Sequence, residues 1–297
     1  MYELPRNTQR RRRNVAYSPT VRRRRLSNAL RQFREAAGLD SKEAARKLGW
    51  QPSKVTRIER DEWRRPTIND VMDLLDIYGV TDEAKRQAMI SLARESRRRG
   101  WWEEEFKDIL GGALVGLEWE ATEIQTFEAM LIPGLLQTAD YATAIFKGGQ
   151  VMKTCDTERL TEARLARQRI LDREDPPTFW AVIDEAALRK QVGGIAVMRD
   201  QLHKLCRMAE RRNVGIQVLQ DAVGAHTSMT GGFTILDYQA SEDPSIIYVE
   251  VGAAGDLFLE KPEDVSHYRK SYGYLRASAL SADASVTYIE NLAKNLK

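Results

Sequence analysis

Cysteine and histidine are scarce in this chain of 297 residues, which holds two cysteines and three histidines. Cys155 and Cys206 form neither a disulfide framework nor a cysteine-rich metal pattern, so we expect a reducing compartment such as the cytoplasm. No run of about 18 apolar residues occurs, and no apolar segment follows the arginines of the N-terminus. The sequence therefore predicts neither a membrane span nor a secretory signal.

Motifs that carry catalysis are also missing. His203 and Cys206 lie three residues apart on a predicted helix, but two ligands do not make a structural zinc site, and Cys206 is better explained as a buried apolar residue. Ser228 follows His226 by two residues without a G-x-S-x-G turn around it. The GAAGD turn lacks the spacing that binds a dinucleotide. We expect no catalytic residue, no metal, no cofactor and no enzyme activity.

Charge is distributed unevenly along the chain. The net charge is +8 over residues 1–25, +4 over residues 26–100 and −9 over residues 101–297. The basic first third of the chain can bind a polyanion such as a nucleic acid, whereas the acidic remainder would repel it. The clusters Arg10–Arg13 and Arg22–Arg25 repel themselves, so residues 1–25 are predicted to be a disordered, arginine-rich arm. The first cluster is either a solvated tail or a phosphate contact, and the second is expected to touch a nucleic-acid backbone or minor groove.

Residues 40–61, DSKEAARKLGWQPSKVTRIERD, contain two short amphipathic helices joined by a turn. Asp40 or Ser41 is suited to cap the first helix, and Glu43 is placed to complete a capping box. Gly49 suits the left-handed conformation that ends a helix. The spacing therefore predicts a tight helical hairpin.

The second of these helices begins at Pro52 and has two distinct faces. Ala45 supplies the small side chain where the two helices cross, and Val55 and Ile58 form an inward apolar seam. The opposite face carries hydroxyl and guanidinium groups, on Ser53, Thr56, Arg57 and Arg60. Such a face suits a DNA major groove, although a helical hairpin with a solvated charged face is the alternative.

This pattern resembles the helix-turn-helix of Xre, or lambda-repressor-like, DNA-binding regulators. It matches them at Ala45, Gly49, Val55 and Ile58. Gln51 and Asp61 depart from the family, in which Ser or Thr and Gly are common at these positions, so the cap and the second turn are expected to differ. The resemblance implies that Arg34, near the end of the first helix, pairs with Glu59 near the end of the recognition helix.

Further helices complete a five-helix domain over residues 26–99. The first is predicted over residues 26–38, and the fourth begins at Thr67 with Asp70 in a T-x-x-D cap. The fifth runs over residues 82–99. We therefore expect a mainly α N-terminal DNA-binding domain.

The predicted contacts with double-stranded operator DNA divide into base readers and phosphate contacts. Arg57 is the expected guanine reader, with Ser53 and Thr56 assisting. The residues expected to hold phosphates are Ser41, Lys42, Lys54, Arg60 and Arg64. Trp63 either reaches a phosphate or packs on the domain surface. A homodimer is expected to place two recognition helices one helical turn apart.

Residues 100–297 read as an α+β domain in which helices cover a sheet. Strands are predicted at 122–132, 178–184, 214–220, 231–238, 245–251 and 256–260. Helices are predicted at 135–146, 156–174, 197–211, 262–280 and 284–296.

The second half resembles actinobacterial Xre-type regulators with an antitoxin-like C-terminal domain. The segments that carry the resemblance include ESRRRGWWEE, EIQTFEAMLIPGLLQTADYA and RLARQRILDREDPPTFWAVIDEAALR. It implies a cytoplasmic regulator, associated with the nucleoid when bound to DNA, whose C-terminal domain binds a small toxin-like or modulator protein. A small-molecule-sensing repressor with a ligand pocket in this domain, and an architectural or RNA-binding protein, are the alternatives.

Overall fold

The computed structural model describes residues 18–63, 67–110, 113–149, 156–239, 243–251 and 255–296. In these residues the N-terminal domain has the five predicted helices, α1 (Pro19–Ala36), α2 (Ser41–Leu48), α3 (Pro52–Glu59), α4 (Ile68–Ile77) and α5 (Glu83–Glu95). Their apolar faces meet in one core around Leu30, Ala45, Val55, Ile58 and Leu74. The burial of Ala45, Val55 and Ile58 confirms the predicted crossing of α2 and α3.

Helix ends in this domain follow the predicted local chemistry. The Asp40 carboxylate accepts a hydrogen bond from the Glu43 amide at 2.7 Å, and the Glu43 carboxylate accepts one from the Asp40 amide at 3.0 Å. Gly49 adopts a φ of 65°, which an L side chain rarely tolerates. Gln51 makes no side-chain cap, as expected from its departure from the family.

The C-terminal domain alternates helices with short strands. Its elements are α6 (Trp101–Glu105), α7 (Ala113–Glu120), β1 (Glu123–Glu128), α8 (Ala139–Gly149), α9 (Thr157–Gln168), β2 (Thr178–Asp184), α10 (Glu185–Arg189), α11 (Ile195–Ala209), β3 (Val214–Leu219), β4 (Phe233–Asp237), β5 (Ile246–Glu250), β6 (Asp256–Leu259), α12 (Pro262–Ser278) and α13 (Ala282–Asn295). Helices α6, α7 and α10 were not predicted from the sequence. Two of these have only five residues, too few for a periodic pattern.

One mixed sheet holds the described strands in the order β3-β2-β1-β4-β5-β6. The β1, β2 and β3 strands run parallel, and β4, β5 and β6 continue the sheet antiparallel. Alternate residues face opposite sides, so Ile124 and Leu236 contribute to one apolar cluster and Phe127 and Ile235 to another. Helices α11 and α13 pack on the first side and α12 on the second, which confirms the α+β fold with a covered sheet.

The predicted start of the first helix is wrong, because α1 begins at Pro19 rather than at residue 26. Ser18 caps it through a hydrogen bond from the Val21 amide at 3.4 Å. Arg22–Arg25 therefore lie on a helix and not in a disordered arm, while residues 1–17 lie outside the described residues. The side chain of Val21 is buried in the core of the C-terminal domain, so α1 belongs to both domains.

No described helix is both long enough and apolar enough to cross a membrane.

Candidate nucleic-acid interface

Helix α3 presents an open polar face in the intact chain. Ser53, Arg57 and Arg60 are exposed, and Thr56 is half-buried. The Arg57 Nε donates to the Ser53 carbonyl at 3.3 Å, and the Thr56 hydroxyl donates to the Pro52 carbonyl at 3.4 Å. These contacts stay within α3 and are long for hydrogen bonds. The side chains are therefore free to exchange them for groups on DNA.

The proposed phosphate contacts differ in their surroundings. Lys42 is exposed beside the start of α2, and Ser41 is half-buried at its first position. Lys54 is held within the domain, since its ammonium lies 2.6 Å from the Asp70 carboxylate and 3.6 Å from the Trp50 ring centroid. Binding a phosphate requires Lys54 to release Asp70. Arg64 lies outside the described residues.

The Lys54 ion pair also alters the predicted cap of α4. The Thr67 hydroxyl accepts a hydrogen bond from the Asp70 amide at 3.1 Å, which confirms Thr67 as the cap. The Asp70 carboxylate is turned to Lys54 instead, so among the described contacts the cap is made from one side only. A cap motif alone does not reveal such a competing partner.

A buried polar group fixes α3 against the rest of its domain. The Arg34 Nε donates to both carboxylate oxygens of Glu59, at 2.8 and 3.0 Å, which confirms the implied pair. The Tyr78 hydroxyl donates to Glu59 at 3.1 Å, and Arg34 also donates to the Leu39 carbonyl at 2.7 Å. The hydrogen bond to Glu59 raises the pKa of Arg34, and burial raises the pKa of Tyr78. The sequence gives no local sign that Tyr78 donates to Glu59.

The turn after α3 is stabilised by α1. Asp61 has a φ of 59°, the left-handed conformation that a Gly would adopt more easily. Its carboxylate accepts a hydrogen bond from the Arg23 Nε at 2.6 Å, and burial raises the pKa of Asp61. Trp63 packs on the domain and donates to the Ser27 hydroxyl at 3.1 Å, so of its two predicted roles the packing role is observed.

The other arginines of the second cluster join α1 to the C-terminal domain and to α5. Arg22 lies 3.1 Å from the Glu120 carboxylate and 3.2 Å from that of Glu95. Arg24 forms an ion pair with Glu260, and the Arg25 Nε donates to Asp243 at 2.6 Å. The prediction of a free arm is therefore wrong for Arg22–Arg25, because they lie on α1 and pair with carboxylates from distant segments. Their contact with DNA stays a prediction, and it requires these pairs to open.

These pairs form a partly dehydrated layer between the domains. Burial raises the pKa of Glu120 to about 7, although Arg22 and Arg25 oppose this shift. The Glu120 carboxylate also accepts a hydrogen bond from the Ser18 amide at 3.0 Å, beside the first turn of α1. The orientation of α1 is thus linked to the C-terminal domain. Because Arg23 of α1 binds Asp61, the turn after α3 is linked to it as well.

We expect Arg25→Ala to lower the free energy of local opening at the start of α1 by about 1–2 kcal/mol. The substitution leaves the largely buried Asp243 carboxylate without its bidentate partner. Hydrogen exchange of the α1 amides of residues 20–25 measures the effect. Arg212→Ala, which removes an exposed arginine of the C-terminal domain, is the control. Unchanged protection at α1 in the Arg25 variant would contradict the linkage.

The side chains considered for catalysis are placed as ordinary structural groups. The Ser228 hydroxyl donates to the Gly231 carbonyl at 2.6 Å, and the His226 Nδ1 accepts a hydrogen bond from the Ser228 amide at 3.3 Å. Cys206 is half-buried against the core of the sheet, and burial raises its pKa. None of these described contacts activates a nucleophile.

Comparisons with protein families match both halves of the chain. Residues 25–89 match a helix-turn-helix domain, and residues 112–291 match a domain of unknown function, DUF5753. Comparisons with curated proteins and with solved structures found no match. The first match agrees with α1–α5 and identifies a DNA-binding domain that is typical of a regulator. Since the second match spans more than half of the chain, the protein belongs to the DUF5753 family.

Proposed function

We propose that this protein is a sequence-specific transcription regulator of the Xre type that reads operator DNA with α3. The observation that carries the proposal is that Ser53, Arg57 and Arg60 are exposed on one face of α3. The end of this helix is held against the domain by the hydrogen bond between Arg34 and Glu59. A short rigid helix with such a face fits the major groove and meets base edges with its side chains. Arg57 is the principal base reader, assisted by Ser53 and Thr56.

The proposed assembly is a homodimer in the cytoplasm. Two copies related by a twofold axis place their α3 helices one helical turn apart on a pseudo-palindromic operator. Phosphate contacts from Ser41, Lys42, Lys54, Arg60 and Arg64 then set the register of each copy. The dimer is associated with the nucleoid while it is bound to DNA.

We expect Lys42→Ala and Arg60→Ala to weaken binding to operator and random DNA by the same factor. Both side chains are exposed, and a phosphate contact carries no sequence information. Each variant should reduce the slope of log affinity against log salt by about 1. Fluorescence anisotropy at several salt concentrations, on a site selected from random DNA, measures both quantities. A loss confined to the selected site would contradict the phosphate role.

For the C-terminal domain we propose a small toxin-like or modulator protein as the partner. An exposed aromatic side chain supports this choice: Tyr274 is 66% exposed and lies with Val223 and His226 around a shallow depression of about 230 Å³. The test is co-purification with the product of the adjacent gene, followed by operator binding with and without it. Retained complex formation by Tyr274→Ala would exclude this patch.

A small-molecule-sensing repressor is the second candidate, and a specific observation favours it. The C-terminal domain contains a cavity of about 400 Å³, within the size range of ligand sites. It lies at the carboxyl end of β1, which is a common position for ligands in sheets with parallel strands.

A further inference from the structure

The cavity lies between the sheet and helices α8 and α9. Strands β1, β4 and β5 contribute Glu128, Thr234, Tyr248 and Glu250 to it, and α9 contributes Arg164 and Arg167. A smaller depression continues it over the start of β4 and shares four of these side chains, Glu128, Thr234, Tyr248 and Glu250. The two together form one cleft, with the two glutamates at its centre.

The two guanidiniums of this cleft make their close contacts elsewhere, although their charges still act on Glu128. Both carboxylate oxygens of Glu118 accept hydrogen bonds from Arg167, each at 2.6 Å. Arg164 donates to the Gln137 side-chain carbonyl at 2.9 Å and lies over the Phe146 ring, 5.1 Å from its centroid. Neither guanidinium makes an ion pair with the two glutamates.

The two glutamates are left without partners. Within the described residues, no hydrogen bond or ion pair reaches the carboxyl group of Glu128 or of Glu250. Glu128 is half-buried and Glu250 is exposed, and both side chains line the cavity. The Glu128 Oε2 lies beside Gly232, 3.4 Å from where a Cβ at that position would stand. A carboxylate held below the surface without a partner costs free energy, and a bound cation would remove that cost.

Apolar side chains form the other wall of the cavity. Helix α8 supplies Ile145 and Phe146, α9 supplies Leu160, and the segment after β1 supplies Leu131. Ile145, Phe146 and Leu160 are half-buried, and Leu131 is exposed. The cleft thus combines two glutamates without close partners, two arginines paired elsewhere and an apolar wall.

From this arrangement we propose that the cavity binds a small primary amine with an apolar body. The ammonium group lies between the carboxylates of Glu128 and Glu250, and the body lies against Phe146 and Leu160. The described residues contain no group of three or more acidic, histidine or cysteine side chains arranged for a metal, which disfavours a divalent cation. The inference rests on the second candidate function and names its ligand class.

Protonation of Glu128 makes the binding dependent on pH. Burial and the nearby charge of Glu250 raise the pKa of Glu128 to about 7. A bound ammonium favours the ionised carboxylate, so affinity should rise as the pH increases through about 7. The charged and titratable groups that face Glu128 from the surrounding elements are Glu250 and Tyr248 on β5, Arg164 and Arg167 on α9, and Tyr141 on α8.

The unliganded protein should be more stable without the Glu128 charge. Because the folded-state pKa is raised above that of the unfolded chain, this group costs stability increasingly as the pH rises from about 4.5 to about 7. Glu128→Gln keeps the shape and removes the charge. At pH 8 we expect it to raise the melting temperature by at least about 2 °C.

The same substitution should weaken amine binding, a loss that a purely structural role of Glu128 would not produce. The probe is phenethylamine, tested by calorimetry and by thermal shift on the full chain at constant ionic strength, with butylamine and putrescine for comparison. For the wild type we expect stabilisation of about 3 °C at ten times the dissociation constant. Glu128→Gln should weaken binding by about tenfold or more, since a charge-assisted contact is lost.

Three controls make the result decisive. Glu290→Gln removes an exposed glutamate of α13 and should leave both readouts unchanged. The neutral 2-phenylethanol and the anionic phenylacetate should not stabilise the wild type. The proposal is overturned if no amine raises the melting temperature more than sodium chloride does at the same ionic strength. It is also overturned if Glu128→Gln binds amine as tightly as the wild type, or if this variant without ligand is less stable than the wild type without ligand.

The DNA-binding proposal is tested separately with the same samples. Absence of amine binding together with a selected operator would refute the cavity assignment alone. Amine binding without any selected operator would refute the regulator and leave the cavity assignment in place.

Discussion

Glu59→Leu is expected to lower the free energy of unfolding of the N-terminal domain by about 3–5 kcal/mol, the largest effect of any substitution considered for this protein. The carboxylate accepts hydrogen bonds from Arg34 and Tyr78, and Glu59 is only 7% exposed. Its loss leaves a largely buried guanidinium and a hydroxyl group without their partner. Urea denaturation of the full chain measures the change, with the loss of helix in the N-terminal domain as the observed transition.

Removing the whole polar group should cost less than removing one member. The triple variant Arg34→Met, Glu59→Leu, Tyr78→Phe replaces the charges and the hydroxyl with apolar groups of similar size. It still leaves the Leu39 carbonyl without the hydrogen bond from Arg34, so we expect an intermediate stability and not full recovery. A triple variant less stable than Glu59→Leu would show that the buried charges stabilise the domain outright.

Arg57→Ala is expected to relax base recognition at one position of each operator half-site. The side chain is exposed on α3, and a bidentate contact between arginine and guanine contributes roughly 1–3 kcal/mol of discrimination. Affinity for the selected operator should therefore fall by about 5- to 150-fold per half-site, while affinity for random DNA falls by much less. Binding to operators altered one base pair at a time locates the position that is read.

The control for this experiment is Arg212→Ala, which removes the same charge from an exposed site on the C-terminal domain. It should leave the ratio of operator to random affinity unchanged. An equal loss on operator and random DNA for Arg57→Ala would refute base reading and make Arg57 a phosphate contact.

Elements defined by neighbouring residues were predictable from the sequence. The capping box of Asp40 and Glu43, the turn at Gly49 and the seam of Val55 and Ile58 depend on spacings of three to nine positions, and all are observed. Strand β2 has the predicted bounds, since hydrophobic or β-branched residues occupy every position before the final Asp184. Helix α7 was missed because nearly all its sides are buried, which removes the amphipathic pattern.

Electrostatic partners were less predictable. The like charges of Arg22–Arg25 suggested mutual repulsion and disorder. In the fold, each of these arginines pairs with a carboxylate from a distant part of the chain. Lys54 was expected to contact a phosphate, whereas in the structure it forms an ion pair with Asp70, 16 positions later. The role of Arg57 as a base reader stays a prediction, which requires the side chain to be exposed on a short regular helix, as it is.

The sequence by itself determined the helical hairpin, the polar face of α3 and the class of fold, because each depends on side chains within a few turns of one another. Only the tertiary structure decided that Arg25 meets Asp243, 218 positions away, and that Glu128 and Glu250 line one cavity. Ion pairs and cavities form where distant segments meet. Their partners are therefore set by the packing of the sheet and helices and not by spacing along the chain.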